Sequence, residues 1–163
     1  MSDLVTLFQK LDYGPAPESD QPAQQWLESH NRSFGFYLNG IWEMPQDAEM
    51  FSVENPATGE QLATCRQAGS REIAQALSGA REAQPKWEKL TGHQRAKYLY
   101  ALAREMQQHS RVLSVLETLD NGKPFRESRD IDIPLAVRHF YHHAGWAQLV
   151  EEEYPQHDAN GVV

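Results

Sequence analysis

The pattern of apolar and polar residues changes its period near residue 70. Before that point, residues 3–11 place Leu4, Leu7, Phe8 and Leu11 at helical spacing, and Tyr13-Gly14-Pro15-Ala16-Pro17 stops that helix, because proline lacks an N–H and restricts the residue before it. A second short helix is expected over residues 21–30, anchored by Trp26 and Leu27. Phe36-Tyr37-Leu38 and Ile41-Trp42-Glu43 flank Asn39-Gly40, the pair that best tolerates the positive φ angles of a type I′ turn, so this stretch predicts a hairpin. Phe51 and Val53 alternate with Ser52 and Glu54. Asn55-Pro56-Ala57-Thr58-Gly59 then supplies turn chemistry, and Glu60 to Gln67 resumes an extended pattern, which predicts a second hairpin.

From Ser70 onward the period is about 3.6. Ile73, Leu77, Ala80 and Trp87 share one face of a helix that Ser70 can cap and Pro85 is expected to end. Thr91 and Gln94 form a capping-box pattern before Ala96, Leu99, Leu102, Ala103 and Met106, which starts a second helix. Val112, Val115, Leu116 and Leu119 make a third that stops at Asn121-Gly122. Ile133, Val137, Phe140, Ala144 and Ala147 make a fourth, with Pro134 expected in its first turn. Two ribbons and four one-faced helices need a larger layer to cover, since two-stranded ribbons are marginal alone. The last residues, Asn160-Gly161-Val162-Val163, read as a turn followed by the opening of a strand, so a continuation is expected.

Composition narrows the class. The 163 residues suffice for one domain, with 40% apolar and 23% charged residues. The mean hydropathy of -0.67 leaves little apolar surface for a core. A net charge of -8 disfavours nucleic acid and anionic membrane as partners, because an acidic surface without a basic stripe is repelled by both. Cys65 is the single cysteine, which rules out an internal disulfide and fits a reducing compartment. The start has no basic segment followed by an apolar run, and a cytoplasmic protein is expected.

Two separated motifs carry a family resemblance. Asn55-Pro56-Ala57-Thr58-Gly59-Glu60 follows a hairpin, and Leu116-Glu117-Thr118-Leu119-Asp120-Asn121-Gly122-Lys123-Pro124 follows two helices. The helix after that ends in Tyr141-His142-His143-Ala144-Gly145-Trp146-Ala147. In this order, over roughly residues 36–163, the chain resembles the amino-terminal part of the aldehyde dehydrogenase superfamily. The leader, with Tyr13-Gly14-Pro15-Ala16-Pro17 and Trp26-Leu27, resembles the extension found in the sixteenth family of that superfamily.

The resemblance implies an α/β fold, the amino-terminal part of a Rossmann-like cofactor-binding domain with its parallel sheet missing. It divides the chain into a helical extension over 1–35 and a partial cofactor-binding domain over 36–163. It implies an enzyme in which a cysteine attacks the aldehyde, a hydride passes from the thiohemiacetal to NAD or NADP, and a glutamate assists water in releasing the carboxylic acid. All of those parts, and the asparagine that helps hold the oxyanion, belong to sequence beyond residue 163. No residue of this chain is therefore expected to be catalytic, to bind cofactor or to bind metal, and no cofactor is expected to bind the chain alone. The implied partners are the remainder of the enzyme chain and further copies in a homo-oligomer. Exposing several hundred Å² of apolar helix surface costs on the order of 10 kcal/mol at ~25 cal/mol per Å², so an isolated chain is expected to be marginal or partner-dependent.

The residues that tempt a chemical reading have plainer ones. Cys65 alternates with Ala63 on a small-residue strand face, and no helix N-terminus lies beside it to lower its pKa. His139, His142 and His143 have helical metal-ligand spacing but no evident third ligand, which makes them surface or interface histidines. Glu151, Glu152 and Glu153 read as a solvated helix end. Gly35, Gly40, Gly59, Gly69 and Gly122 form no phosphate-binding loop. Trp42, Trp87 and Trp146 are expected to be packing anchors of the core. Beside the enzyme-fragment reading stand a non-enzymatic helical interaction or oligomerisation module and, more remotely, a metal protein centred on His139 and His143.

Overall fold

The computed structural model describes residues 19–153, with side-chain surroundings through residue 149. The helix expected over 3–11 and the strand expected at 162–163 lie outside the described residues. The first described element, α1 (Gln21–Ser29), has Pro22 in its first turn, where no N–H is needed, and buries Ala23 and Leu27. Asn31 and Arg32 follow with φ of 53° and 49°, a left-handed turn that reverses the chain into β1 (Ser33–Phe34). The Arg32 guanidinium fixes this turn by donating to the Leu62 carbonyl at 3.0 Å and to Gln24 Oε1 at 2.6 Å.

The first expected hairpin forms as β2 (Phe36–Leu38) and β3 (Ile41–Glu43), antiparallel with Tyr37 opposite Trp42. Its turn residues, Asn39 and Gly40, both have positive φ, at 52° and 83°. Two contacts clasp it onto α2 (Ser70–Glu88). Gln75 Nε2 donates to Glu43 Oε1 at 2.7 Å, and the Asn39 side chain lies where a Cβ on Gly79 would sit. The second hairpin forms as β4 (Met50–Glu54) and β5 (Gln61–Arg66), with a register irregularity at Val53/Glu54. Its turn is closed by Asn55 Oδ1, which accepts from the Ala57 N–H at 2.9 Å, and by the Gly59 N–H donating to the Asn55 carbonyl at 2.7 Å. A feature the pattern did not reveal is that β1 pairs in parallel with β5, giving a three-stranded sheet ordered β1-β5-β4.

The helices correct two expectations. Gly69, not Ser70, is the N-cap of α2: its N–H donates to Glu72 Oε2 at 2.9 Å, so the carboxylate reaches back over the first turn. The helix also continues through Pro85 to Glu88, because a proline so near the end sacrifices only one intrahelical hydrogen bond. Pro134 is the second residue of its helix, in the first turn as expected, but that helix does not start free. A three-residue helix α5 (Phe125–Glu127) and one turn of π-helix (Ser128–Asp132) run directly into α6 (Ile133–Glu153), and the widened turn immediately precedes the proline that cannot donate back into it.

Between these lie α3 (Gly92–Gln108) and α4 (Ser110–Asn121). The Thr91 capping box is formed, with Gln94 N–H donating to Thr91 Oγ1 at 3.2 Å and Thr91 N–H to Gln94 Oε1 at 2.9 Å. The most extensive helix contact is α3 against α6, through Ala96, Ala103, Val137 and Ala144, all buried. A Cβ on Gly92 would meet the Ala147 carbonyl, so the glycine is what lets the two backbones approach. A separate apolar cluster of Leu27, Leu62 and Ala63 joins α1 to the sheet, with Phe34, Val53, Leu116 and Leu119 packed around it.

Two substitutions test this packing by urea denaturation. Thr91→Ala removes one cap of α3 and is expected to cost about 1 kcal/mol. Gly92→Val forces α6 away from α3 and is expected to cost more, on the order of 1–3 kcal/mol. Equal, negligible effects would mean that α3 and α6 do not hold each other.

Candidate functional surface

The structure brings the two family-like motifs together. A Cβ on Gly122 would lie 2.7 Å from Pro56 Cγ, so the turn after β4 packs directly on the αL residue that ends α4, φ 81°. From there Lys123 reaches between Asp132 Oδ2 at 2.8 Å and Glu117 Oε1 at 3.3 Å. The hydrogen bond to Asp132, followed by the one to Glu117, raises the lysine pKa above its usual value despite partial desolvation. Thr118 Oγ1 donates to Ser128 Oγ at 2.9 Å inside the same joint, and Ser128 is fully covered. The stretch Glu117–Lys123 is thus a clasp between α4 and the π turn. The sequence motif marked its place without disclosing that Lys123 is the bridging cation.

Cys65 sits in the middle of the sheet, opposite Phe34 on β1 and Phe51 on β4. It lines a cleft of about 390 Å³ with Leu27, Phe34, Val53, Leu116 and Asp120. Burial pushes the thiol pKa up, and the Asp120 carboxylate adds to the shift. Both effects oppose thiolate formation, the reverse of what a nucleophile needs.

His139 and His143 have ring centroids 6.3 Å apart, and His142 and His143 5.3 Å apart, on an exposed side of α6. Among the described residues no three His, Cys, Asp or Glu side chains are placed to hold a metal ion. The helix carrying Glu151–Glu153 is described there only as backbone. Of the glycines, Gly40, Gly59 and Gly122 serve positive-φ turns, Gly69 caps α2, and Gly35 lies against the Glu43 carbonyl.

The tryptophans overturn the expectation that they anchor a core. Trp42 is 68% exposed beside Tyr37, while Trp87 and Trp146 are each 42% exposed against Tyr98 and His142. Ile73 and Leu77, each 54% exposed, leave the apolar face of α2 open to solvent as well. The physical reason is a shortage of layers: among the described residues, two small sheets and six helices cannot cover every apolar face the sequence provides.

The N-termini of α2 and α3 are closed to a phosphate. Phosphates are held by free N–H groups at a helix N-terminus following a parallel strand. Here the first turn of α2 is occupied by Glu72 and that of α3 by its own capping box, and the parallel pairing of β1 with β5 spans two residue pairs. Glu72 is held below the usual carboxylate pKa by its own backbone N–H, then by Gly69 and Arg71, so an anion already fills the first turn of α2. No helix among the described residues is long and apolar enough to cross a membrane.

Comparison with known proteins resolves what this surface belongs to. The model of the aldehyde dehydrogenase family matches residues 42–163. Aldehyde dehydrogenase B of Escherichia coli is 34% identical over 77% of this chain and 25% of its own length. Among solved structures, HpcC from Thermus thermophilus superposes with a TM-score of 0.75 at 26% identity, over 85% of this chain and 27% of that one. The NAD+ complex of an aldehyde dehydrogenase from Bacillus cereus superposes with a TM-score of 0.70 at 33% identity, over 74% of this chain and 25% of that one. The chain spans about a quarter of the length of the relatives it matches. With both motifs joined in space and the family model matched from β3 to the last residue, the chain belongs to the aldehyde dehydrogenase family.

Proposed function

We propose that this chain is the amino-terminal segment of an NAD(P)-dependent aldehyde dehydrogenase, that it serves as scaffold, and that it turns over no aldehyde on its own. Residues 1–35 are then an extension and residues 36–163 the opening part of a Rossmann-like cofactor-binding domain. In the full-length enzyme an aldehyde is oxidised to a carboxylic acid through a thiohemiacetal on a cysteine that lies elsewhere in the polypeptide. NAD or NADP is held by parts of that enzyme outside this chain, and its assembly into a soluble homo-oligomer belongs to the whole enzyme.

The observation that carries this reading is the environment of Cys65. It is the one thiol of the chain, it lies on the central strand of the sheet, paired on both sides, and its surroundings stabilise the neutral form. A thiol so placed is a packing group. The capped first turns of α2 and α3 support the same view, because neither N-terminus is free for a cofactor phosphate.

The purified 163-residue chain, offered short-chain and aromatic aldehydes with NAD+ or NADP+, is expected to produce no reduced cofactor. Turnover that disappears in Cys65→Ser would overturn the proposal. A second measurement reads the thiol directly. Because the folded-state pKa is raised, neutral Cys65 stabilises the fold below the usual thiol pKa of about 8.5, and that contribution is lost as pH rises through the higher folded value. Disulfide-reagent labelling is therefore expected to be slower than for a free cysteine at about pH 8, to rise at a more alkaline pH, and to recover the free rate in urea. Fast labelling at neutral pH would point to an activated thiol.

A further inference from the structure

Three arginines line one connected cleft in the helical half, in a chain with 23 acidic residues against 15 lysines and arginines. Arg111 stands in the first turn of α4, Arg129 in the π turn and Arg138 in α6. Two chambers open between these elements. One, of about 230 Å³, is lined by Ser110, Arg111, Ser114, Phe125 and Arg129. The other, of about 390 Å³, runs past Ile133, Pro134, Val137 and Arg138 to Tyr141. Ser110 and Arg129 belong to both, so the chambers share a wall, and no Asp or Glu lines either one.

The chemistry of this lining selects its ligand. Guanidinium groups brought round one cleft repel one another, and a bound anion relieves that cost. Arg129 is held in place: its Nε and Nη2 donate to Asp130 at 2.7 and 2.9 Å, and its Cζ lies 5.6 Å from the centre of the Phe125 ring. A guanidinium carries five N–H donors, so the pair with Asp130 orients Arg129 without exhausting it. A planar carboxylate is satisfied by one arginine fork. A tetrahedral phosphate takes donors from several directions, and guanidinium groups on three separate elements supply them. The larger chamber adds an apolar wall at Ile133, Pro134 and Val137 and one polar pair, Tyr141 Oη donating to Gln107 Oε1 at 2.7 Å. Its volume is that of a small-molecule site.

We propose that this cleft binds a small phosphomonoester, its phosphate held at Arg129 between Arg111 and Arg138 and its compact apolar body lying along Ile133, Pro134 and Val137. Ser110, on the shared wall, adds a hydroxyl donor. The site is built from side chains of α4, the π turn and α6, so it needs no glycine-rich loop and leaves no such motif in the sequence. It shares no lining residue with the cleft that holds Cys65 except where α6 begins, at Ile133. The inference is independent of the proposed function, because it borrows no residue and no step from aldehyde chemistry.

The test titrates the 163-residue chain with phenyl phosphate, followed by phosphorus NMR at about 150 mM salt, where diffuse surface attraction is largely screened. Saturable binding is expected with a Kd on the order of 1 mM or tighter, the range open to so small a ligand. Benzoate and inorganic phosphate, followed by calorimetry, are each expected to bind at least fivefold more weakly, the first for want of the phosphate and the second for want of the ring. Arg129→Gln, which touches both chambers, is expected to weaken phenyl phosphate at least tenfold, and Arg111→Gln and Arg138→Gln severalfold each. Arg104→Gln, an equal loss of charge at an exposed position of α3 outside the cleft, is expected to stay within twofold. Circular dichroism checks that each variant keeps its helix content. Equal weakening by Arg104→Gln and the cleft variants overturns the inference in favour of diffuse attraction. Benzoate binding as tightly as phenyl phosphate overturns the choice of a phosphate. Absence of saturation up to about twenty times the expected Kd overturns the site itself, and the proposed function stands in every case.

Discussion

The close approach of α3 and α6 is the constraint on which the helical half of the molecule depends. Two helices separated by alanines at Ala96, Ala103 and Ala144, with Gly92 under the Ala147 carbonyl, have little side-chain volume to adjust. Their crossing is fixed by backbone contact, and hydrogen bonds from Tyr141 and Gln148 pin the register. Small residues gain little from the hydrophobic effect individually, so the stability of this seam comes from dense contact over its length. That geometry sets the direction in which every other face of α6 points, including the one with the exposed Leu135, Trp146 and Leu149.

The sheet half depends on a different kind of constraint. Strand β5 is central, and its partners arrive from opposite directions along the chain: β4 by a tight turn, and β1 by the left-handed reversal at Asn31 and Arg32. The two halves meet where Pro56 touches Gly122 and where Leu116 and Leu119 reach the Leu27–Leu62 cluster. A motif with no chemistry of its own is then understandable: the Asn55–Glu60 turn and the Leu116–Pro124 segment are spelled as they are because one is packed on the other, and Lys123 ties the second to the π turn.

What could be read from the pattern was whatever is decided locally. The Asn39-Gly40 turn, the Thr91 capping box and the Gly122 stop each involve residues within four positions of one another, and each formed. The parallel pairing of β1 with β5 joins residues about thirty positions apart and leaves no periodic trace in a two-residue strand. Pro85 misled for a related reason, since a proline penalty of a few kcal/mol is local whereas the packing that outweighs it is not. Gly69 in place of Ser70 as the cap of α2 turned on a single carboxylate, that of Glu72, reaching back three residues. At the candidate site, the quiet surroundings of Cys65 followed from strand alternation, while the charge bridge at Lys123 needed Asp132, nine positions on and brought close by the π turn.

The misplaced tryptophans carry the larger lesson about function. Apolar residues are scarce in this chain, yet Trp42, Trp87, Trp146, Ile73 and Leu77 are exposed rather than gathered into its core. A chain of net charge -8 can stay dispersed with such faces because its copies repel one another, but repulsion does not remove the cost of hydrating them. Side chains of this size repeated at regular helical intervals are not how a free surface is built. On the proposed reading, these faces lie against the rest of the enzyme.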